Sequence, residues 1–135
     1  MNCTRKKDIV FVDDNEDYLR IVEIFYGQST LKNPIKFFQS GEKFLKYMND
    51  VNNGIYSPPS LVLLDIRMPG LNGFDVLEAL EKQKIKGEIP VILMTNSDDD
   101  RDKIKAEELG VGFQTKPIGT KYIEFLNSLN FLEEK

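Results

Sequence analysis

The stretch Leu61–Gly70, LVLLDIRMPG, decides the fold. Four aliphatic residues run straight into a carboxylate, Asp65, and Pro69-Gly70 follows almost at once. An unbroken aliphatic run, rather than an apolar–polar alternation, is what a strand shows when both faces of its sheet are covered. Pro-Gly then marks a turn. A charge at the end of such a strand needs a purpose, and the rest of the chain supplies one.

Working outward, similar runs recur at Ile9–Val12, Ile35–Phe38, Val91–Met94 and Val111–Gln114. Their β-branched and aromatic content favours strands, with the weaker signal at Ile35–Phe38 and Val111–Gln114. The first, third and fourth strands read as buried on both faces. Between the runs the period becomes helical: Leu19, Val22, Phe25 and Tyr26; Phe44, Leu45, Met48 and Val51; Phe74, Leu77 and Leu80; Ile104 and Leu109; Tyr122, Leu126 and Leu129. Asn72, three residues before Asp75, predicts a helix start, as does Ser97 ahead of the acidic run Asp98–Asp100. Gly110 predicts the end of the fourth helix, and the last helix is expected from Thr120 to about Leu132. Loops fall at Gly27–Pro34 and Asn52–Ser60. Five strands alternating with five helices imply an α/β fold with a doubly wound parallel sheet.

Composition bounds the chemistry. The chain has 135 residues, suited to one domain, and 41% hydrophobic residues, enough for a core without staples. A net charge of −4 argues against a general nucleic-acid binder. The single cysteine, Cys3, sits in a charged N-terminal tail, residues 1–7, and forms no internal disulfide. There is no histidine, which removes histidine-based triads, histidine metal sites and phosphohistidine chemistry within this chain. Leu61–Leu64 is among the longest purely aliphatic runs, far short of the ~20 apolar residues that cross a bilayer, so no membrane insertion and a cytoplasmic location are expected.

The polar residues that end the strands share a pattern. Strand one ends in Asp13-Asp14, strand three in Asp65, strand four in Thr95 and strand five in Lys116. In open α/β sheets the ligand crevice lies at the carboxyl ends of the strands, where strand order reverses. With order 2-1-3-4-5, strands one and three flank that point, and Asp13, Asp14 and Asp65 converge. Clustered carboxylates repel unless a cation binds, and oxygen donors without His or Cys favour a hard one, Mg2+ before Ca2+. Lysine and a hydroxyl beside them suit a phosphoryl group.

These pieces resemble the receiver domain of two-component response regulators over nearly the whole chain. The matching segments are FVDDNED (Phe11–Asp17), LVLLDIRMPGLNGFDVL (Leu61–Leu77), PVILMTN (Pro90–Asn96) and GFQTKPIG (Gly112–Gly119). Each is weak alone; four in order at strand ends are specific. The resemblance implies a flavodoxin-like (βα)5 fold and a single receiver domain over 1–135 with no output domain. Asp65 would be the phospho-acceptor. Asp14 and Asp65 would ligate Mg2+ (or Mn2+) directly, Asp13 mainly through water, and the backbone carbonyl of Arg67 would complete the protein ligands. Thr95 and Lys116 would hold phosphoryl oxygens. Thr95 and Phe113 would form the switch, Phe113 standing where the family often has Tyr. The Lys116–Pro117 bond would be cis. The phosphoryl donor would be a histidine kinase or a histidine phosphotransfer protein, and the output a protein partner bound through the helix 4–strand 5–helix 5 face, without direct nucleic-acid contact. Arg67 and Ser97 are expected to rim the pocket.

Other readings compete. Asp13 and Asp14 could cap the first helix, Phe113 could be static core, and Arg5–Lys7 reads as a solvated tail. An aspartate-nucleophile phosphohydrolase commonly wants a second Asp two residues after the nucleophile, where this chain has Arg67. A nucleotide-binding module would need a glycine-rich phosphate loop, which does not occur. A degenerate receiver used only as a scaffold would not need the complete acidic, hydroxyl and lysine set.

Overall fold

The computed structural model describes residues 5–83, 89–96, 99–116, 118–126 and 133–134. Its five main strands are β1 (Ile9–Val12), β2 (Ile35–Phe38), β3 (Leu61–Asp65), β4 (Val91–Thr95) and β5 (Gly112–Thr115). They alternate with α1 (Glu16–Gly27), α2 (Gly41–Asn52), α3 (Gly73–Gln83), α4 (Asp100–Glu108) and α5 (Thr120–Leu126). All neighbouring strand pairs are parallel, in the order β2-β1-β3-β4-β5. This is the doubly wound parallel sheet expected from the strand pattern, in the flavodoxin-like form that the resemblance implies.

The aliphatic runs are continuous because alternate residues enter different cores. Ile9, Phe11, Leu61 and Leu63 pack with Leu19 and Val22 of α1 and Ile123 and Leu126 of α5. Val10, Val12, Val62 and Leu64 pack on the other face with Phe44 and Met48 of α2, Val76 of α3 and Ala106 of α4. Every residue of β1 and β3 is buried, whereas the edge strand β2 is half-buried throughout. One-residue alternation within an all-apolar run is therefore the sequence trace of a sheet covered twice.

Helix ends show where local signals held. Asn72 and Asp75 cap α3 reciprocally: the Asn72 N–H donates to Asp75 Oδ2 at 3.0 Å and the Asp75 N–H to Asn72 Oδ1 at 2.9 Å. Gly110, at φ +71°, follows the end of α4 as expected. Other expectations change. α1 is capped by Asn15, whose side chain accepts from the Tyr18 N–H, so Asp13 and Asp14 are released from capping. α4 is capped by Asp99 and not by Ser97; Ser97 and Asp98 lie outside the described residues. Ile104 and Leu109, expected to face the core, are 54% and 51% exposed, and α4 instead buries Asp102 and Ala106. Arg5–Lys6, read as solvated tail, pairs antiparallel with Glu133–Glu134 through backbone. The part of the last helix expected over 127–132 and the residue Pro117 also lie outside the described residues.

Candidate functional site

Backbone hydrogen bonds carry the sheet one residue past its strand ends and so aim the polar residues at one place. The Asp13 N–H donates to the Phe38 carbonyl at 3.0 Å, and the Ile66 N–H, just after Asp65, donates to the Met94 carbonyl at 2.9 Å. The Lys116 N–H donates to the Thr95 carbonyl at 2.8 Å, tying the end of β5 to the end of β4. Thr95 itself is 1% exposed.

Carboxylate oxygens of Asp13, Asp14 and Asp65 lie within 4.8 Å of one another. Asp13 and Asp65 are buried and Asp14 is exposed. The Lys116 ammonium donates to Asp13 Oδ2 at 2.6 Å and stands 3.2 Å from Asp65 Oδ1. Burial above all, then the Asp13 charge, pushes the Asp65 carboxyl up to about 6, against the opposing pull of Lys116; Asp14 adds a smaller push. One ammonium thus faces three carboxylates, and the pocket keeps an excess of negative charge lined by oxygen donors. That donor set fits a hard divalent cation.

Of the other sequence-predicted residues, Phe113 is half-buried against the α2–α3–α4 core. Arg67 lies in the loop just beyond Asp65, but its guanidinium turns to Asp102 Oδ2 at 2.6 Å on α4. Three contributors were not legible beforehand. The Tyr18 ring lies 4.7 Å under the Lys116 ammonium, a cation–π contact that helps fix the lysine. In the sequence Tyr18 is simply an aromatic at the start of a helix. Gly73 brings α3 so close that an added Cβ would stand 2.7 Å from the Asp65 carbonyl oxygen. Asp102 is a buried carboxylate inside a charge-rich helix, where nothing local marks it.

Residues 9–124 match the family model described as the response regulator receiver domain. The chain belongs to the response regulator receiver family. Among curated relatives of this receiver, the probable methanogenesis regulatory protein FilR2 of Methanothrix harundinacea is 29% identical over 98 residues, 73% of this chain and 63% of that protein. The alignments span 45% to 63% of the lengths of three such relatives. Among solved structures, the bacteriophytochrome response regulator AtBRR is 27% identical with a TM-score of 0.76, covering 95% of this receiver and 93% of that chain. The Mn2+-bound form of response regulator Rcp1 is 27% identical with a TM-score of 0.74, covering 93% and 94%.

Proposed function

We propose that this protein is a phosphorylation-controlled signalling receiver that takes a phosphoryl group from the histidine of a kinase or phosphotransfer protein onto Asp65. The observation that carries the reading is the convergence of Asp13, Asp14 and Asp65 with Lys116 bridging the two buried members. Asp65 acts as nucleophile: its carboxylate oxygen bonds to phosphorus while the phosphorus–nitrogen bond of the donor histidine breaks and the electron pair returns to the imidazole. Lys116 and the Thr95 hydroxyl receive the phosphoryl oxygens. Asp14, Asp65 and the Arg67 backbone carbonyl would hold Mg2+ or, in its place, Mn2+, and Asp13 would act on it mainly through water. When bound, the metal offsets the charge of the incoming phosphoryl group.

In this reading residues 1–135 act as one receiver unit in the cytoplasm, without direct nucleic-acid contact, and output passes to a protein partner over the α4–β5–α5 face. Exposed Ile104, Leu109 and Phe125 on or beside α4 and α5 support such a surface. Among the described residues no helix is long and apolar enough to cross a membrane. The test is intact-protein mass spectrometry after incubation with acetyl phosphate and Mg2+. One phosphoryl adduct is expected on the wild-type protein, none on Asp65→Asn, and none in excess EDTA. Wild-type labelling of Asp65→Asn would remove the assignment, and absence of any adduct on the wild-type protein would favour a scaffold role.

A further inference from the structure

We infer that Asp102, in the first turn of α4, is a positioning residue for the phosphoryl site, holding the Arg67 guanidinium in reserve so that Asp102 and a phosphoryl group on Asp65 compete for one cation. This rests on the receiver reading above. The Arg67 guanidinium donates to Asp102 Oδ2 at 2.6 Å, and the two side chains are 60% and 9% exposed. The asymmetry matters: the arginine can leave for solvent or another anion, whereas the carboxylate is confined beneath the helix. The neighbouring cation, Arg101, is already engaged, with its guanidinium 3.1 Å from Asp99 Oδ2. A buried carboxylate that loses its cation is costly, which keeps Asp102 paired with Arg67 until another anion competes for it.

Arg67 leaves the acceptor loop only two residues beyond Asp65, and its long flexible side chain can turn toward either anion. A phosphoryl group offers three acceptor oxygens and a charge near −2, a good match for a guanidinium fork. Competition of this kind is reciprocal. A phosphoryl group that draws Arg67 away leaves Asp102 unpaired and loosens the first turn of α4. A partner that stabilises that turn in its clasped form withholds Arg67 from the phosphoryl group. The clasp thus gives the site a route to α4 separate from Thr95.

The test is the affinity for beryllofluoride, a phosphoryl mimic, at saturating Mg2+ in wild-type, Asp102→Asn, Arg67→Ala and doubly substituted protein. Asp102→Asn frees the guanidinium and is expected to tighten binding about three- to tenfold. In the Arg67→Ala background the same substitution is expected to change binding by less than about twofold, because no guanidinium remains to be released. Equal changes in both backgrounds, or no tightening by Asp102→Asn, overturn the inference. Asp102→Ser provides a smaller neutral variant should the asparagine not fold. Wild-type protein gives an independent reading: the Arg67 guanidinium protons should resist solvent exchange by NMR, and exchange at the rate of free arginine overturns the clasp. If wild-type protein binds no beryllofluoride at all, the receiver chemistry itself fails and this inference with it.

Discussion

Lys116 keeps two buried carboxylates from facing each other unscreened. Its side chain is 5% exposed and touches both Asp13 and Asp65, so removing it strands negative charge where water is scarce. Lys116→Met is expected to cost about 2–4 kcal/mol in EDTA at pH 7.5, with Mg2+ recovering a large part. Urea denaturation with and without the metal checks this; a loss that Mg2+ does not touch would mean that the lysine is merely packed. Asp65 has the opposite sign. Its carboxyl is pushed up from the usual 3.8 to about 6 in the fold, because burial and the Asp13 charge disfavour ionisation. Between those values the folded chain retains a proton that the unfolded chain has released, so stability falls as pH rises from about 4 to about 6. Asp65→Asn removes that penalty. In metal-free buffer it is expected to be about 1–3 kcal/mol more stable than wild type at pH 7.5, the gap closing toward pH 4. An unchanged gap across that range would show that ionisation of Asp65 is not its source.

At the scale of elements, the connection from β3 to α3 sets the position of the acceptor. The Gly73 N–H donates to the Ile66 carbonyl at 2.9 Å, and the helix starts against the backbone of Asp65 itself. A Cβ at Gly73 would meet the Asp65 carbonyl oxygen at 2.7 Å and Ile66 Cα at 3.0 Å, backbone atoms that cannot turn aside as a side-chain tip can. Gly73→Ala is therefore expected to cost about 1–3 kcal/mol and to weaken Mg2+ binding severalfold, since relief of the clash displaces Asp65. Asn72→Ala is the control: it removes a cap bond, costs about 1 kcal/mol and leaves Mg2+ affinity near wild type. Equal Mg2+ affinities for wild type and Gly73→Ala, measured by titration, would separate the glycine from the site.

At the scale of the molecule, the sheet links Thr95 to β5, on the face proposed for output. Thr95 pairs in register with Thr115, and Leu93 with Phe113, so β4 and β5 carry the hydroxyl and the ring on adjoining strands. In the proposed switch, a phosphoryl oxygen that draws the Thr95 hydroxyl toward it would open space for Phe113, already half-buried, to fill. Phosphate must favour the inward packing more than the outward one for any signal to pass. The ring has no hydroxyl to anchor it, so burial alone favours the inward state. Thr95→Ala is expected to leave Asp65 reactive while reducing the phosphorylation-dependent change in partner affinity. The measurement is partner binding with and without beryllofluoride; an unchanged ratio would route the switch elsewhere, with the Arg67–Asp102 clasp the next place to look.

The order of elements, the doubly covered strands and the convergence of Asp13, Asp14, Asp65, Thr95 and Lys116 at one edge were determined by the sequence itself. Strands buried on both faces must be apolar throughout, and the first polar residue after such a strand falls at the sheet edge where ligands bind, so local pattern and site coincide. Tertiary structure alone decided what α4 does. Its apolar Ile104, and Leu109 just past its end, face outward while Asp102 turns inward, because the small Ala106 shares the buried face and Arg67, thirty-five residues away in the chain, supplies the countercharge. Tyr18 beneath Lys116 and Gly73 against Asp65 are of the same kind. Each depends on a partner distant in sequence or on a close approach of backbones, and neither leaves a trace in the spacing of neighbouring residues.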